Sequence, residues 1–405
     1  MVLCLATASS FAEDFSWPTV AARALRQNPA LRAADARVEA ARRNRQGALG
    51  YFLPELSAQA EYARTPGTET YSLGLTGSQN LFRGWRDRAR LESATWTVEA
   101  ASQSSRAARA TLGYELESAF SSLVYAQDAV LLQREILRRR DENLSVVELR
   151  FEGGRENKGS VLLFRAYVEQ AKLDEWVASN QIASSRAALS RSMGENLADD
   201  IRAVGAITVI DPPSSVDFPS LANSTPGVLR LSAEREAAKT DVIAARGAFY
   251  PTLSFSGSTG LQDDAFVPTD DFWRWSATLD LPFFSGGRDY RAIQSASALW
   301  IAAAAEAENE RRDALAALVR TYNAFQEAQR RVRVDSAFLE AVRVRSDIAR
   351  HRYNNGLMSF EDWDVIENDL INRQRSLLAS VRDRAIAQAA WMQAKGESPS
   401  PEEHP

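Results

Sequence analysis

The sequence predicts a mainly α protein with a small β part, built as a duplicated unit of helix, β-hairpin and long coiled-coil hairpin. Three observations predict it. Landmark residues recur at a fixed offset, each half contains a long proline-free stretch, and four short segments alternate apolar with polar residues. The 405 residues are 45% hydrophobic and 25% charged, the composition of a folded chain. A formal net charge of −5 leaves no basic footprint, so nucleic acid is not an expected partner. A single cysteine, Cys4, and two histidines, His351 and His404, exclude a disulfide scaffold and a histidine-built metal centre. No cofactor is expected. The longest stretch without charge, Gly247–Gln262, has 16 residues and contains Pro251, too short for a membrane helix of ~20 apolar residues.

The duplication orders everything else. Asn28-Pro29 matches Thr225-Pro226, and Tyr51-Phe52-Leu53-Pro54 matches Ala248-Phe249-Tyr250-Pro251, both at an offset of 197 (226 − 29). Further on the offset is 202 (286 − 84): Phe82-Arg83-Gly84 pairs with Phe284-Ser285-Gly286, Arg150-Phe151 with Arg352-Tyr353, and Gly194-Glu195 with Gly396-Glu397. The change of offset falls between Pro54 and Phe82, which implies a longer loop in the second half.

Element by element, residues 1–12 read as the remnant of a secretory signal peptide ending at Ser10-Phe11-Ala12. The first repeat is assigned to 13–197, a linker to 198–223 with a short strand at 206–210, the second repeat to 224–395, and a disordered tail to 396–405. Each repeat opens with a helix, Pro29–Leu49 or Pro226–Ala248, whose proline suits the first turn. Pro54 and Pro251 stop these helices. After the β segments come Gly84 or Gly286-Gly287, and then Trp85–Arg150 and Gly287–Arg352, each 66 residues without proline and ~99 Å long if helical. Gly-containing turns, with Phe151, Gly153 and Gly154 in one and Tyr353 and Gly356 in the other, lead to shorter returning helices.

In the long helices Leu116, Leu123, Val130, Leu137, Leu144 and Phe151 recur every seventh residue, and Leu318, Phe325, Val332, Leu339, Ser346 and Tyr353 repeat them in phase. A sustained heptad implies a left-handed coiled coil. Arg138-Arg139-Arg140 and Arg330-Arg331 read as parts of a solvated helix face.

The alternating segments are strands at about 55–64, 71–81, 252–260 and 273–282. Their apolar side carries Leu73, Leu75, Leu253, Phe255, Trp273, Trp275, Leu279 and Leu281, the residues expected to face lipid. Lengths of ~9–11 residues suit strands that cross an outer membrane obliquely. Tyr51, Phe52, Phe82, Trp85, Phe249, Tyr250, Phe283 and Phe284 gather at the helix–strand junctions, and Tyr71, Phe272, Trp273 and Trp275 at the far strand ends, as two aromatic girdles would. Soluble hairpins packed on helices are the alternative. Four strands cannot close a barrel, and open edges are not tolerated in lipid, so a spanning barrel requires several chains.

Taken together, these residues resemble the TolC-like family of outer-membrane efflux and secretion channels, over about residues 15–397. The carriers are the duplicated order of elements, Asn28-Pro29, and the exits at Pro54 and Pro251. Further carriers are the returns Leu81-Phe82-Arg83-Gly84 and Pro282-Phe283-Phe284-Ser285-Gly286-Gly287-Arg288, and the turn Arg352-Tyr353-Asn354-Asn355-Gly356-Leu357-Met358-Ser359. The resemblance implies a homotrimer with a trimeric 12-strand β-barrel, four strands from each chain, continued by a periplasmic α-helical barrel. It implies outer-membrane lipid, a periplasmic adaptor (membrane fusion) protein and an inner-membrane pump as partners. It also implies a passive duct opened at its periplasmic tip, with acidic residues constricting the entrance. Asp362 looks similar to one of the family's acidic positions, Val365 departs from another, and Glu361, Asp364 and Glu367 are nearby candidates. A helix N-terminus capped by Ser359 explains Glu361 and Asp362 equally well. The other tip, with Lys158, Gly159 and Ser160, reads as lacking such acids.

No enzyme is expected. His351 lies in a coiled-coil stretch, Gly257-Ser258-Thr259-Gly260 lacks the nucleophile-elbow spacing, and no glycine-rich phosphate loop is present. The alternative to a channel is a periplasmic coiled-coil scaffold whose hairpins serve as interaction modules.

Overall fold

The computed structural model describes residues 13–196, 201–205, 207–208 and 210–398. The expected signal peptide and residues 399–405 of the expected tail lie outside these. The elements run β1 (Glu13–Phe15), α1 (Trp17–Gln27), α2 (Pro29–Leu49), β2 (Glu55–Thr65), β3 (Thr68–Arg83), α3 (Arg86–Glu152), α4 (Lys158–Met193), β4 (Ile201–Ala203), α5 (Phe218–Asn223), α6 (Pro226–Arg246), β5 (Thr252–Asp263), β6 (Asp270–Asp280), α7 (Arg288–Asn354) and α8 (Phe360–Lys395). Both long helices have 67 residues and both returning helices 36. The described chain groups into two units: residues 13–32, 106–222 and 315–398, and residues 33–105 and 223–314.

The second of these units holds a four-stranded antiparallel sheet in the order β2-β3-β5-β6. β2 and β3 meet at a tight turn where Gly67 takes φ +93°, a conformation glycine adopts without Cβ strain. The strands therefore reach farther than expected, β3 over 68–83 and β5 to 263, and β6 starts at 270. β6 also stops at Asp280, so Leu281, expected in the strand, lies beyond it, just ahead of Pro282, which cannot donate to a ladder. At the return from β3 to α3, Gly84 has φ +62° and Trp85 has φ +66°. A Cβ on Gly84 would stand 2.3 Å from the Gly247 carbonyl oxygen, so the turn packs backbone against backbone. For Trp85 the left-handed conformation costs ~1–2 kcal/mol. Arg83 clamps the same turn, donating from Nε to Asp87 Oδ2 at 2.9 Å.

The first unit explains the Asn28-Pro29 motif. Asn28 accepts from Ala30 N at 2.8 Å, capping α2, and donates to Ser192 O at 2.8 Å, pinning the end of α4. Beside it, a Cβ on Gly194 would meet Pro29 Cδ at 2.7 Å. Phe15, Val20, Leu116, Phe120, Leu189 and Ile201 lie in one core. The linker strand is found at Ile201–Ala203, not at 206–210; two positions of the expected strand lie outside the described residues. It pairs in parallel with β1, a partner 188 positions away (201 − 13) that no local pattern reveals. Gln127 fixes its end, donating to Ala203 O at 2.8 Å and accepting from Ala203 N at 3.0 Å. Farther along, Gln388 donates to Thr208 O at 3.1 Å and accepts from Ile210 N at 3.0 Å.

The heptad line holds along most of α7, where Leu318, Phe325, Leu339, Ser346 and Tyr353 are buried, while Val332 is only half-buried. In α3 it holds for Leu116, Leu123 and Val130, then passes to Ile136, Arg140, Asn143 and Val147. Leu137 and Leu144 are only partly buried and Phe151 is exposed. The cause is polar: Arg140 and Asn143 turn inward to reach Asn368 and Glu367.

Candidate functional site: the hairpin tips and the two faces of the sheet

α3 and α7 end in the same way. Gly154 and Gly356, 202 apart, take φ +69° and +75°, and the next residues, Arg155 and Leu357, donate back to Arg150 O and Arg352 O at 2.8 Å. This six-to-one bond closes a helix C-terminus and needs a left-handed residue, here glycine. Gly153 continues the first turn, donating to Leu149 O. α4 begins under an Asn157 cap, which accepts from Ser160 N at 3.0 Å. α8 begins under Ser359, which accepts from Asp362 N at 3.1 Å while its hydroxyl donates to Asp362 Oδ2 at 2.9 Å.

Between the turns lies an aromatic stack. Tyr353 and Trp363 are parallel at 4.2 Å between centroids, and Phe164 stacks on Trp363 at 5.4 Å. Sequence reasoning missed the stack, although Trp363 one turn after a helix cap was a usable signal. It also missed Glu156, which contradicts the expectation of a tip without acids. Glu156 accepts from Tyr353 Oη at 2.9 Å and from Ser160 Oγ at 3.0 Å. Burial and the Glu156 carboxylate hold the Tyr353 phenol above its ordinary pKa, so it stays a donor. Arg150 completes the joint, donating to Tyr353 O at 2.6 Å with its guanidinium 4.4 Å over the Tyr353 ring.

The four acids of α8 do not form one cluster. Glu361 and Asp362 are exposed, and Asp362 is engaged in the cap. Asp364 is half-buried, accepting from Tyr167 Oη at 3.2 Å and Asn368 Nδ2 at 3.0 Å. Burial raises its pKa, partly offset by Tyr167 and Arg140. Glu367, expected near the entrance, is 0% exposed. It accepts from Arg139 through both oxygens at 2.8 Å, from Ser346 Oγ at 2.6 Å and from Asn143 at 3.1 Å. A fully buried, four-bonded carboxylate is a fastener between α3, α7 and α8 and cannot line an opening. Arg139 and Arg140, expected on a solvated face, point inward for the same reason; only Arg138 is exposed, paired with Glu135 and Glu142.

A second buried carboxyl on α3 predicts a pH effect. Glu117 is 9% exposed and its Oε2 has no hydrogen-bond partner; burial pushes its pKa from 4.5 to about 7. A raised folded pKa contributes stability that is present below the unfolded value and is lost as pH rises toward 7. Glu117→Gln is therefore expected to flatten the fall in thermal midpoint between pH 4.5 and 7 and to stabilise the protein by about 3 kcal/mol above it.

The sheet sorts its side chains by face. Leu56, Gly77, Gly257 and Trp275 form one cross-strand row, Ala58, Leu75, Thr259 and Trp273 the next, and Leu253 pairs with Leu279. Leu73, Leu75, Phe255, Trp273, Trp275 and Leu279 are exposed and Leu253 is half-buried. The opposite face carries Ser57, Thr76, Ser258 and Arg274, then Gln59, Gly74, Gly260 and Phe272. Phe272 thus stands on the polar face, opposite Trp273, and is not part of an outward girdle; strand alternation separates neighbours. Its ring lies by Gly74, where a Cβ would meet Phe272 Cζ at 3.3 Å. Trp275 lies at the middle of β6 rather than at a strand end. The junction residues Pro54, Pro251, Gly84, Gly286 and Gly287 all flank this sheet, and Gly286 and Gly287 repeat the left-handed pair of Gly84 and Trp85.

A sheet with one exposed apolar face, joined to duplicated helical hairpins, is an architecture shared with solved outer-membrane channels. Known proteins agree. The probable outer membrane lipoprotein SilC of Salmonella typhimurium is 21% identical over 383 residues, 90% of this chain and 82% of the relative. The cation efflux system protein CusC of Escherichia coli is 22% identical, covering 91% of this chain and 84% of the relative. The crystal structure of the Vibrio cholerae outer membrane protein VceC superposes with a TM-score of 0.82 at 23% identity, over 94% of this chain and 95% of that one, a shared TolC-like fold. The chain belongs to the outer membrane efflux protein family, whose model matches residues 20–195 and 219–397, and its place is the outer membrane.

Proposed function

We propose that this protein is the outer-membrane exit duct of a tripartite efflux or type I secretion system: a passive homotrimeric channel, opened at its periplasmic tip by an adaptor and an inner-membrane pump. The observation that carries this is the sheet's combination of an exposed apolar face with two unpaired edges. Inside the chain β3 pairs with β5, matching Gly77 with Gly257. The duplication carries that pairing to the edges: adding 202 to 77 gives Leu279 on β6, and subtracting 197 from 257 gives Ala60 on β2. Both lie on outer edges of the sheet, and both belong to the apolar face. β6 of one copy then pairs with β2 of the next, and three copies close a barrel of 12 strands around the polar face. Closure removes the edges that lipid does not tolerate.

The tip is the gate in this reading. Glu156, Arg150 and the Tyr353 stack hold the two hairpins of one chain together, and opening breaks those bonds. Glu361 and Asp362, exposed beside them, are the residues left to line an acidic entrance and meet basic adaptor side chains. No chemical step belongs to the protein, because the pump supplies the energy.

A double variant, Ala60→Cys with Leu279→Cys, tests the closure. Mild oxidation of the outer-membrane fraction is expected to give disulfide-linked species up to three chains on denaturing gels, and each single variant none. A chain that stays monomeric under oxidation and extracts without detergent would instead support the scaffold with hairpin interaction modules.

A further inference from the structure

Glu367 lies between two arginines and is bonded to only one of them. Arg139 of α3 holds it through Nε and Nη2, each at 2.8 Å. Arg350 of α7 stands with Nη2 4.0 Å from Glu367 Oε2, and its Nε and Nη2 are buried without a hydrogen-bond partner. These two nitrogens form an edge that can take both oxygens of a carboxylate, the same edge that Arg139 uses. Arg350 also lies one turn beyond Ser346, whose hydroxyl donates to Glu367 at 2.6 Å, so both residues share the face of α7 that meets this carboxylate.

The duplication shows what the free edge fits. Subtracting 202 from 350 and from 367 gives Glu148 and Arg165, the same two charges exchanged. In the α3–α4 hairpin they are bonded: Arg165 donates to Glu148 Oε1 from Nη2 at 2.8 Å and from Nε at 3.1 Å. The α7–α8 hairpin carries an arginine and a glutamate at the equivalent positions and leaves the pair open. Only this second pair has a competitor. Arg139 draws Glu367 toward α3, whereas the counterpart of Arg139, 202 positions on, is the uncharged Ala341.

We propose that Glu367 exchanges partners as the tip opens, leaving Arg139 of α3 for Arg350 of α7. Before the exchange the carboxylate ties one hairpin to the other. After it, the bond lies inside the α7–α8 hairpin, which Leu339, Val342 and Leu370 already hold together. An opening that simply broke the Arg139 bond would leave a buried carboxylate without a close cation, a strongly unfavourable state. The exchange keeps Glu367 bonded while the hairpins part, which makes Arg350 a positioning residue for the open tip. It rests on the exit-duct reading, in which the hairpins separate.

The test compares single-channel recordings of the full chain in planar lipid bilayers for the wild type, Arg139→Ala and Arg350→Met. Arg139→Ala removes the bond of the closed tip and is expected to raise the fraction of time spent conducting. Arg350→Met removes the receiving partner and is expected to lower that fraction about tenfold, the scale of one hydrogen bond to a charged group. In detergent, Arg350→Met is expected to melt no more than about 2 °C below the wild type, because the bond it removes is not formed in the closed tip. An Arg350→Met channel that conducts as often as the wild type, or more often, would overturn the exchange. A melting point that falls as far as that of Arg139→Ala would also overturn it, by showing that Arg350 holds Glu367 already. If neither the wild type nor Arg139→Ala conducts, the exit-duct reading falls and the exchange with it.

Discussion

Arg139→Ala is expected to destabilise the helical unit by about 3 kcal/mol, because it leaves the buried Glu367 charge with only the looser Arg350 contact at 4.0 Å to offset it. The carboxylate has no solvent to turn to at 0% exposure, and Ser346 and Asn143 cannot replace a bidentate guanidinium. Replacing both partners by apolar residues, Arg139→Met with Glu367→Leu, is expected to recover most of the loss, since neither charge is then left buried. Thermal unfolding followed by circular dichroism separates the two outcomes. A pair that cost as much as the single variant would mean that the bonds themselves, and not the stranded charge, dominate. Acid has the same target. Burial alone would raise the Glu367 pKa, but the bonds from Arg139 and Ser346 and the Arg139 charge hold it below its ordinary 4.5. Its stabilisation is therefore present above pH 4.5 and is lost as pH falls below that value, and Glu367→Gln is expected to remove this acid dependence.

Leu75→Arg is expected to cost ~2–4 kcal/mol in folding into a bilayer, and Leu279→Arg only ~0–1 kcal/mol. Both leucines are exposed on the apolar face. They differ in depth: Leu75 lies near the middle of β3, whereas Leu279 is one residue from the end of β6. A cation at mid-depth must be desolvated, while one near the interface reaches headgroups by extending its stem. Urea titration of the protein in vesicles reads both values. Equal and small costs at the two positions would place the apolar face in water and sink the barrel.

Much of the architecture was legible because it is periodic. Heptads, proline stops and a constant offset located the long helices to within two residues, and alternation located the four strands. What stayed hidden depends on partners far apart in sequence. Arg139 sits in a run of three arginines that looks solvated, and only Glu367, 228 residues away, turns it inward. Glu156 carries no local signal in its turn; its role comes from Tyr353, 197 residues on, which donates to it. The parallel pairing of β1 with β4 involves three residues on each strand, too few for a pattern. At the tip, residue types suggested acids at an entrance, but burial divides them: Glu361 and Asp362 remain on the surface while Glu367 is a fastener.

The matched lengths of the two helical hairpins carry a constraint on how this protein can change. α3 and α7 share 67 residues, α4 and α8 share 36, and Glu156 meets Tyr353 only because the two turns fall at the same level. Removing a heptad from α3 and another from α4 would retract that turn by ~10 Å, far beyond the reach of a hydrogen bond. The same excision made in α7 and α8 would restore the meeting. Hairpin length is thus a shared quantity that neither repeat can vary alone without parting the two turns.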